Sequence, residues 1–219
     1  AGIVLTEPGL AGIVGAIREG RVTFQRILTY TLRSLTQKLS QMLLLVAGLV
    51  MTGHAILTPR LIAIVMITGD FLAMSATTDN VRPSPRPNAW HIDNISLLGV
   101  SLALGSFAFC AGTVAYGRYR LGLSPPELQT LATVAVVFTG QSIFYVVRDR
   151  QRLWSSRPSR WIVLSSIADV AIIVVLATQG FLMTPLPAAL VAQVLAAAAG
   201  FTLVLDQIKF VVSRSLQMQ

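Results

Sequence analysis

The sequence predicts an all-α membrane protein with six transmembrane helices, preceded by a basic stalk helix and a short orphan strand. Three observations predict it. Of 219 residues, 54% are hydrophobic and 12% charged, where a soluble domain carries about 25% charged residues. The mean hydropathy, +0.70, is high for an entire chain, and apolar runs approaching the roughly 20 residues a spanning helix needs fill most of it. Lysines and arginines crowd into alternate connections between those runs, as membrane topology requires.

Ile3 to Leu5 is a β-branched run stopped by Glu7-Pro8-Gly9, a turn signal, and reads as a strand without a partner. The opening residues lack the basic region, apolar core and cleavage site of a signal peptide, so they read as the interior of a longer protein. From Leu10 to about Lys38 the period becomes helical. Phe24, Ile27, Leu28, Thr31, Leu32 and Leu35 recur every three or four residues as one stripe. Arg18, Arg21, Arg26, Arg33 and Lys38 share this stretch, a cytoplasmic stalk over residues 11–39.

The six spans are expected at 40–53, 59–78, 95–116, 128–147, 161–181 and 186–205, within a transmembrane domain of residues 40–212. No helix breaker separates the stalk from the first span. Prolines mark the other joints: Pro59, Pro83, Pro85 and Pro87, then Pro125, Pro126, Pro158, Pro185 and Pro187. Residues 213–219 are expected as a cytoplasmic tail. Assigning connections to alternate sides places fourteen of the 17 Lys and Arg on one side and only Arg60, Arg118 and Arg120 on the other. The richer side, with both termini, is expected in the cytoplasm. Trp90, Trp154 and Trp161 fall near that interface, where tryptophan is enriched.

The same placement explains the net charge of +8 without nucleic acid, since the arginines lie where a multi-pass protein needs them. Cys110 is the single cysteine, which excludes an internal disulfide and fits a small buried residue. His54 and His91 lie in separate loops and, with one distant cysteine, make no zinc or copper site.

Seven acids, Glu7, Glu19, Asp79, Asp93, Glu127, Asp149 and Asp206, lie in loops or near span ends. Asp70 and Asp169 lie inside spans. A charged Asp at mid-bilayer costs about 2.5–3.5 kcal/mol on insertion scales. A partner, a water-filled cavity or neutralisation must offset that cost. Such an acid changes its proton affinity with its surroundings, which suits Asp70 to ion translocation. Asp79 follows nine residues later, about 13.5 Å and two and a half turns along a helix. It therefore cannot share one ion with Asp70 and is expected to anchor the cytoplasmic end. Gly69 is expected to loosen the helix locally. Asp169, with no motif around it, is expected to serve structure at least as much as transport. Gln141, Gln179 and Gln193 read as interhelical hydrogen-bonders or interfacial residues. In the polar stretch Thr31–Gln41, Lys38 or Gln41 either belongs to a solvated stalk or approaches Asp70 and tunes it.

"IVLTEPGL", then "FQR", then "GDFLAMSATTDNVRPSPRPNAW" closely resemble the C-terminal part of the plasma-membrane proton pumps, P-type ATPases of type III. The motifs cover residues 1–92; the last four spans match in number and position. The resemblance implies a ten-span pump of which this chain supplies the last six spans. Residues 1–10 would end the cytoplasmic phosphorylation domain, and the stalk helix would carry phosphorylation to the membrane. Asp70 falls on the family's proton-accepting aspartate, and Asp79 on the acid closing the same span. Those pumps carry an arginine deep in the first of these spans. Here the aligned residue is Ser40, with Lys38 nearby, which leaves a divalent-cation pump for Mg²⁺ or Ca²⁺ as an alternative. An independent six-span secondary transporter and a membrane scaffold are the other classes. The family's phosphorylated aspartate and its ATP- and Mg²⁺-binding motifs do not occur in this sequence, so this chain alone is expected to be inactive. ATP and Mg²⁺ would act in the intact pump. Its partners would be the lipid bilayer, the remaining spans and cytoplasmic domains, and the transported proton, in the plasma (inner) membrane.

Overall fold

The computed structural model describes residues 10–81, 92–149 and 152–215. The strand expected at Ile3–Leu5 and the proline-rich loop with Arg82, Arg86, Trp90 and His91 lie outside the described residues. So do Arg150 and the end of the tail. The described chain is α-helical: α1 Leu10–Thr52, α2 Pro59–Ser75 with a 3-10 turn Ala76–Thr78, α3 Ile92–Tyr119, α4 Pro125–Val147, α5 Arg160–Gln179 and α6 Ala188–Ser215. All six helices are long and apolar enough to cross a membrane.

Local chemistry sets most of the ends. Thr58 accepts from the Leu61 N–H at 3.4 Å, with Pro59 in the first helical turn. The Glu127 carboxylate accepts from the Ser124 N–H at 2.7 Å and hydroxyl at 2.6 Å, ahead of which Pro125 and Pro126 need no donor partner. Ser159 caps α5 by accepting from Ile162 N–H at 3.3 Å. Gly180, at φ 77°, ends that helix in the left-handed conformation that glycine adopts without strain.

α1 is continuous over 43 residues, a length of about 65 Å at 1.5 Å per residue. A hydrocarbon core of about 30 Å holds less than half of it, so the basic N-terminal half of α1 projects beyond the bilayer. Hydrogen bonds assign the helix ends to two sides. Gln129 Nε2 donates to Ala55 O at 2.9 Å and Thr130 Oγ1 to Thr184 O at 2.8 Å, tying α4's start to the α1–α2 and α5–α6 loops. The ends of α2 and α4 and the start of α5 meet on the opposite side around Asp79.

α4 is the hub. Its membrane window is 89% buried, against 28–39% for the other five. Ala132, Thr133, Ala135, Thr139, Gly140 and Ser142 are small enough for close approach. Ser142 Oγ donates to the carbonyl of Ala198, in the alanine run of α6, at 3.1 Å. Cys110 is buried, its Sγ 3.5 Å from Thr139 Oγ1.

Two expectations are corrected. α6 is helical through Ser215, past the span end expected at about 205. Asp206, one residue past that expected end, is buried. Its carboxylate accepts from Lys209 Nζ, one turn on, at 3.1 Å and from the Leu153 N–H at 3.2 Å, with Arg152 at 3.6 Å. Mutual neutralisation lets the helix continue past these charges. Gly69 does not loosen α2, which passes through it unbroken.

Candidate functional site at mid-span

α1 carries a buried polar stripe: Gln25, Thr29, Arg33, Thr36 and Ser40. Spacings of four, four, three and four place them on one helical face. α1 packs chiefly on α3 and α4, and α2 on α4 and α5, so side chains bridge α1 to α2. Arg33, only 5% exposed, does this. Its Nη2 donates to the Gly69 carbonyl at 2.9 Å, and the guanidinium carbon lies 5.7 Å from the Phe144 ring centre. Glycine at 69 eases this approach: a Cβ there would stand 3.3 Å from Nη2, so the guanidinium would have to give slightly. Gln37, the next turn of α1, lies between Gly69 and Gly140.

Asp70 is one residue beyond the carbonyl that Arg33 holds. The sequence suggested a partner, a cavity or neutralisation for it; the structure places it on the outer face of α2. Met66, Ile67, Phe71 and Met74 are exposed around it. A helix turns about 100° per residue, so a Gly69 facing Arg33 sets Asp70 at the rim of that contact. At mid-helix this rim faces lipid or further helices. Arg33 lies within electrostatic reach of Asp70. Lys38 and Gln41 do not fill that role. Lys38 is exposed, Gln41 is half-buried, and neither is bonded to Asp70 among the described residues.

Asp169 is 3% exposed, inside the bundle. Its Oδ2 accepts from Gln141 Nε2 of α4, while the nearby Thr68 hydroxyl of α2 donates to the Ile64 carbonyl at 3.1 Å. Ser166 Oγ completes Gln141 by donating to Oε1 at 2.7 Å. Asp169 Oδ1 has no hydrogen-bond partner, and neither has Arg33 Nε; both atoms are buried. Arg33 also lies within electrostatic reach of Asp169.

Asp79 is elsewhere and fully engaged. Its Oδ2 accepts from Arg148 Nε at 3.0 Å and its Oδ1 from the Asn80 N–H at 2.9 Å, while its carbonyl accepts from Arg26 Nη2 at 2.8 Å. Arg148, the C-cap of α4, also donates to Ser156 O at 2.6 Å. Asp79 thus pins together the ends of α2 and α4 and the segment before α5. No group of three or more His, Cys, Asp or Glu side chains suited to a metal occurs among the described residues.

Arg33 is the site residue that sequence reasoning missed. Its charge was grouped with a solvated stalk, although the polar stripe through positions 25, 29, 33, 36 and 40 marked a buried face.

Six helices long and apolar enough to cross a membrane define a multi-pass membrane protein. The chain is similar along its full length, at 26% identity over 219 residues, to a Methanocaldococcus jannaschii protein provisionally named as a cation-transporting ATPase. It spans 27% of that relative's length. No family model matches the chain.

Proposed function

We propose that this chain is the C-terminal membrane part of an ATP-driven cation pump that exports protons, with Asp70 as the intramembrane proton carrier. The observation carrying the reading is the placement of Asp70: at mid-span, on an apolar outer face, one residue from the carbonyl that the buried Arg33 guanidinium holds. An exposed acid among apolar side chains at that depth calls for more helices, and the sequence resemblance supplies them as four further spans. The likeness to part of a longer protein named as a cation-transporting ATPase supports the same reading.

In the mechanism, ATP phosphorylates a cytoplasmic domain, of which residues 1–10 are the end. α1 transmits the change along its length and moves Arg33 relative to α2. With the guanidinium withdrawn, Asp70 takes a proton from the cytoplasmic side. With the guanidinium close, the ionised carboxylate is favoured and the proton leaves. Arg33 then stands in for the arginine that the proton pumps this chain resembles carry at the position of Ser40. A cation beside the carboxylate disfavours the alternative, a site for Mg²⁺ or Ca²⁺, which needs several oxygen ligands. Asp79 carries no ion, because its charge is committed to Arg148. Both termini of the chain lie in the cytoplasm and the pump resides in the plasma (inner) membrane.

The test uses the intact protein in sealed vesicles. ATP-driven acidification should be vanadate-sensitive and fall to background in Asp70→Asn. Wild-type acidification by that variant would overturn the assignment, and ATP-driven uptake of Mg²⁺ or Ca²⁺ without acidification would replace the proton by a divalent cation.

A further inference from the structure

We propose that Arg33 is a two-position guanidinium and that Asp169 is its second partner, a positioning carboxylate inside the bundle. The inference rests on the reading of Asp70 as the proton carrier.

Two buried atoms lead to it. Arg33 Nε and Asp169 Oδ1 are a donor and an acceptor, each without a hydrogen-bond partner, each on a residue at most 5% exposed. Leaving such groups unmet costs about 1–3 kcal/mol apiece, and they lie within electrostatic reach of one another. Arg33 is engaged in the other direction, through Nη2 to the Gly69 carbonyl beside Asp70. Its guanidinium rests over the Phe144 ring, whose face attracts a cation wherever the group lies across it. One cation therefore stands between two carboxylates, Asp70 on the rim and Asp169 within. The structure shows the guanidinium bonded to the Gly69 carbonyl.

The remaining neighbours leave Asp169 to Arg33. α4 presents the neutral Gln141 and α2 the neutral Thr68. The charged pair of α6, Asp206 and Lys209, is occupied at the end of the bundle, where Lys209 Nζ donates to Val146 O at 2.9 Å. Tyr30, on Arg33's own helix, also bears on the guanidinium. In the Gly69 position Arg33 supports an ionised Asp70, whose proton passes to water. In the Asp169 position the ion pair forms inside the bundle, and Asp70 takes a proton from hydronium. Only protons move; no oxidant or reductant is involved.

Asp169→Asn removes the second position, holding Arg33 beside Asp70. In the intact protein, the pH profile of ATP-driven acidification should shift in this variant, while Asp169→Glu should keep the wild-type profile. An unmoved profile in Asp169→Asn, or the same shift in Asp169→Glu, overturns the proposal. Unfolding supplies a second readout, independent of pumping. Arg33→Gln, Asp169→Asn and the double variant should be non-additive, the double unfolding at least threefold less readily than the singles predict. Additive effects overturn the pairing. The two readings fail separately: wild-type pumping by Asp70→Asn sinks the carrier assignment, while the unfolding cycle still judges the pairing.

Discussion

Asp70 and Asp79 stand on one helix segment, yet their surroundings are opposite. Asp79 is 2% exposed and both carboxylate oxygens are bonded. Asp70 is exposed on an apolar face. The first fixes three helices at one end of the bundle. The second contributes little to holding these six helices together. A charge retained at mid-span without a structural duty is the mark of a functional group, so the contrast separates the anchor from the proposed carrier.

The largest effect should come from breaking the anchor. Arg148→Ala leaves the buried Asp79 without its ion-pair partner, still holding the Asn80 N–H, which costs about 3–5 kcal/mol. Denaturant unfolding in detergent should show it. Replacing both partners, with Asp79→Leu and Arg148→Met, should recover most of that loss, because two apolar groups leave no orphaned charge. If Arg148→Ala unfolds like the wild type, the anchor is not one.

Asp206→Ala should cost less, about 1–3 kcal/mol. Lys209 loses its carboxylate but keeps the carbonyls of Val146 and Asp149, at 2.9 and 3.3 Å. The same unfolding assay ranks it below Arg148→Ala. An equal or larger loss would place the main anchor at α6 instead of Asp79.

The six spans were legible because length and hydropathy alone define a crossing helix. That Asp79 cannot share one ion with Asp70 was legible from their separation along the helix. The partners were not. A hydropathy pattern is nearly uniform around a membrane helix, so it does not reveal which face meets protein and which meets lipid. That hid the outward aim of Asp70 and the contact of Asp169 with Gln141. It also hid the continuation of α6: Asp206 and Lys209 read as polar ends until their mutual pairing, one turn apart, is seen. Arg33 was legible in principle, because polar residues spaced by three and four on an otherwise apolar helix signal a buried polar face.

Gly69→Ala probes the carrier side with a smaller change. The new methyl meets Arg33 Nη2 at 3.3 Å, so the guanidinium must give by a few tenths of an ångström. Against this, alanine in a helix gains roughly 0.5–1 kcal/mol over glycine. The unfolding midpoint should therefore stay within about 1 kcal/mol of wild type while the pH dependence of transport shifts. An unchanged pH profile would show that the Gly69 contact does not set the position of Arg33.

The smallest effect on the fold belongs to Asp70→Asn. Its carboxylate fills no cavity in the bundle, so removing the charge leaves no buried partner unpaired. Arg33 keeps its bond to the Gly69 carbonyl, which is backbone and survives the substitution. The unfolding midpoint of the chain should move by less than about 0.5 kcal/mol, as for a surface substitution. Transport should nevertheless be lost, since an amide neither binds nor releases a proton in the accessible range. Stability and activity thus part company at position 70 and fall together at position 79. If Asp70→Asn instead unfolds the protein as Arg148→Ala does, Asp70 is a second anchor, and the division of labour along α2 collapses.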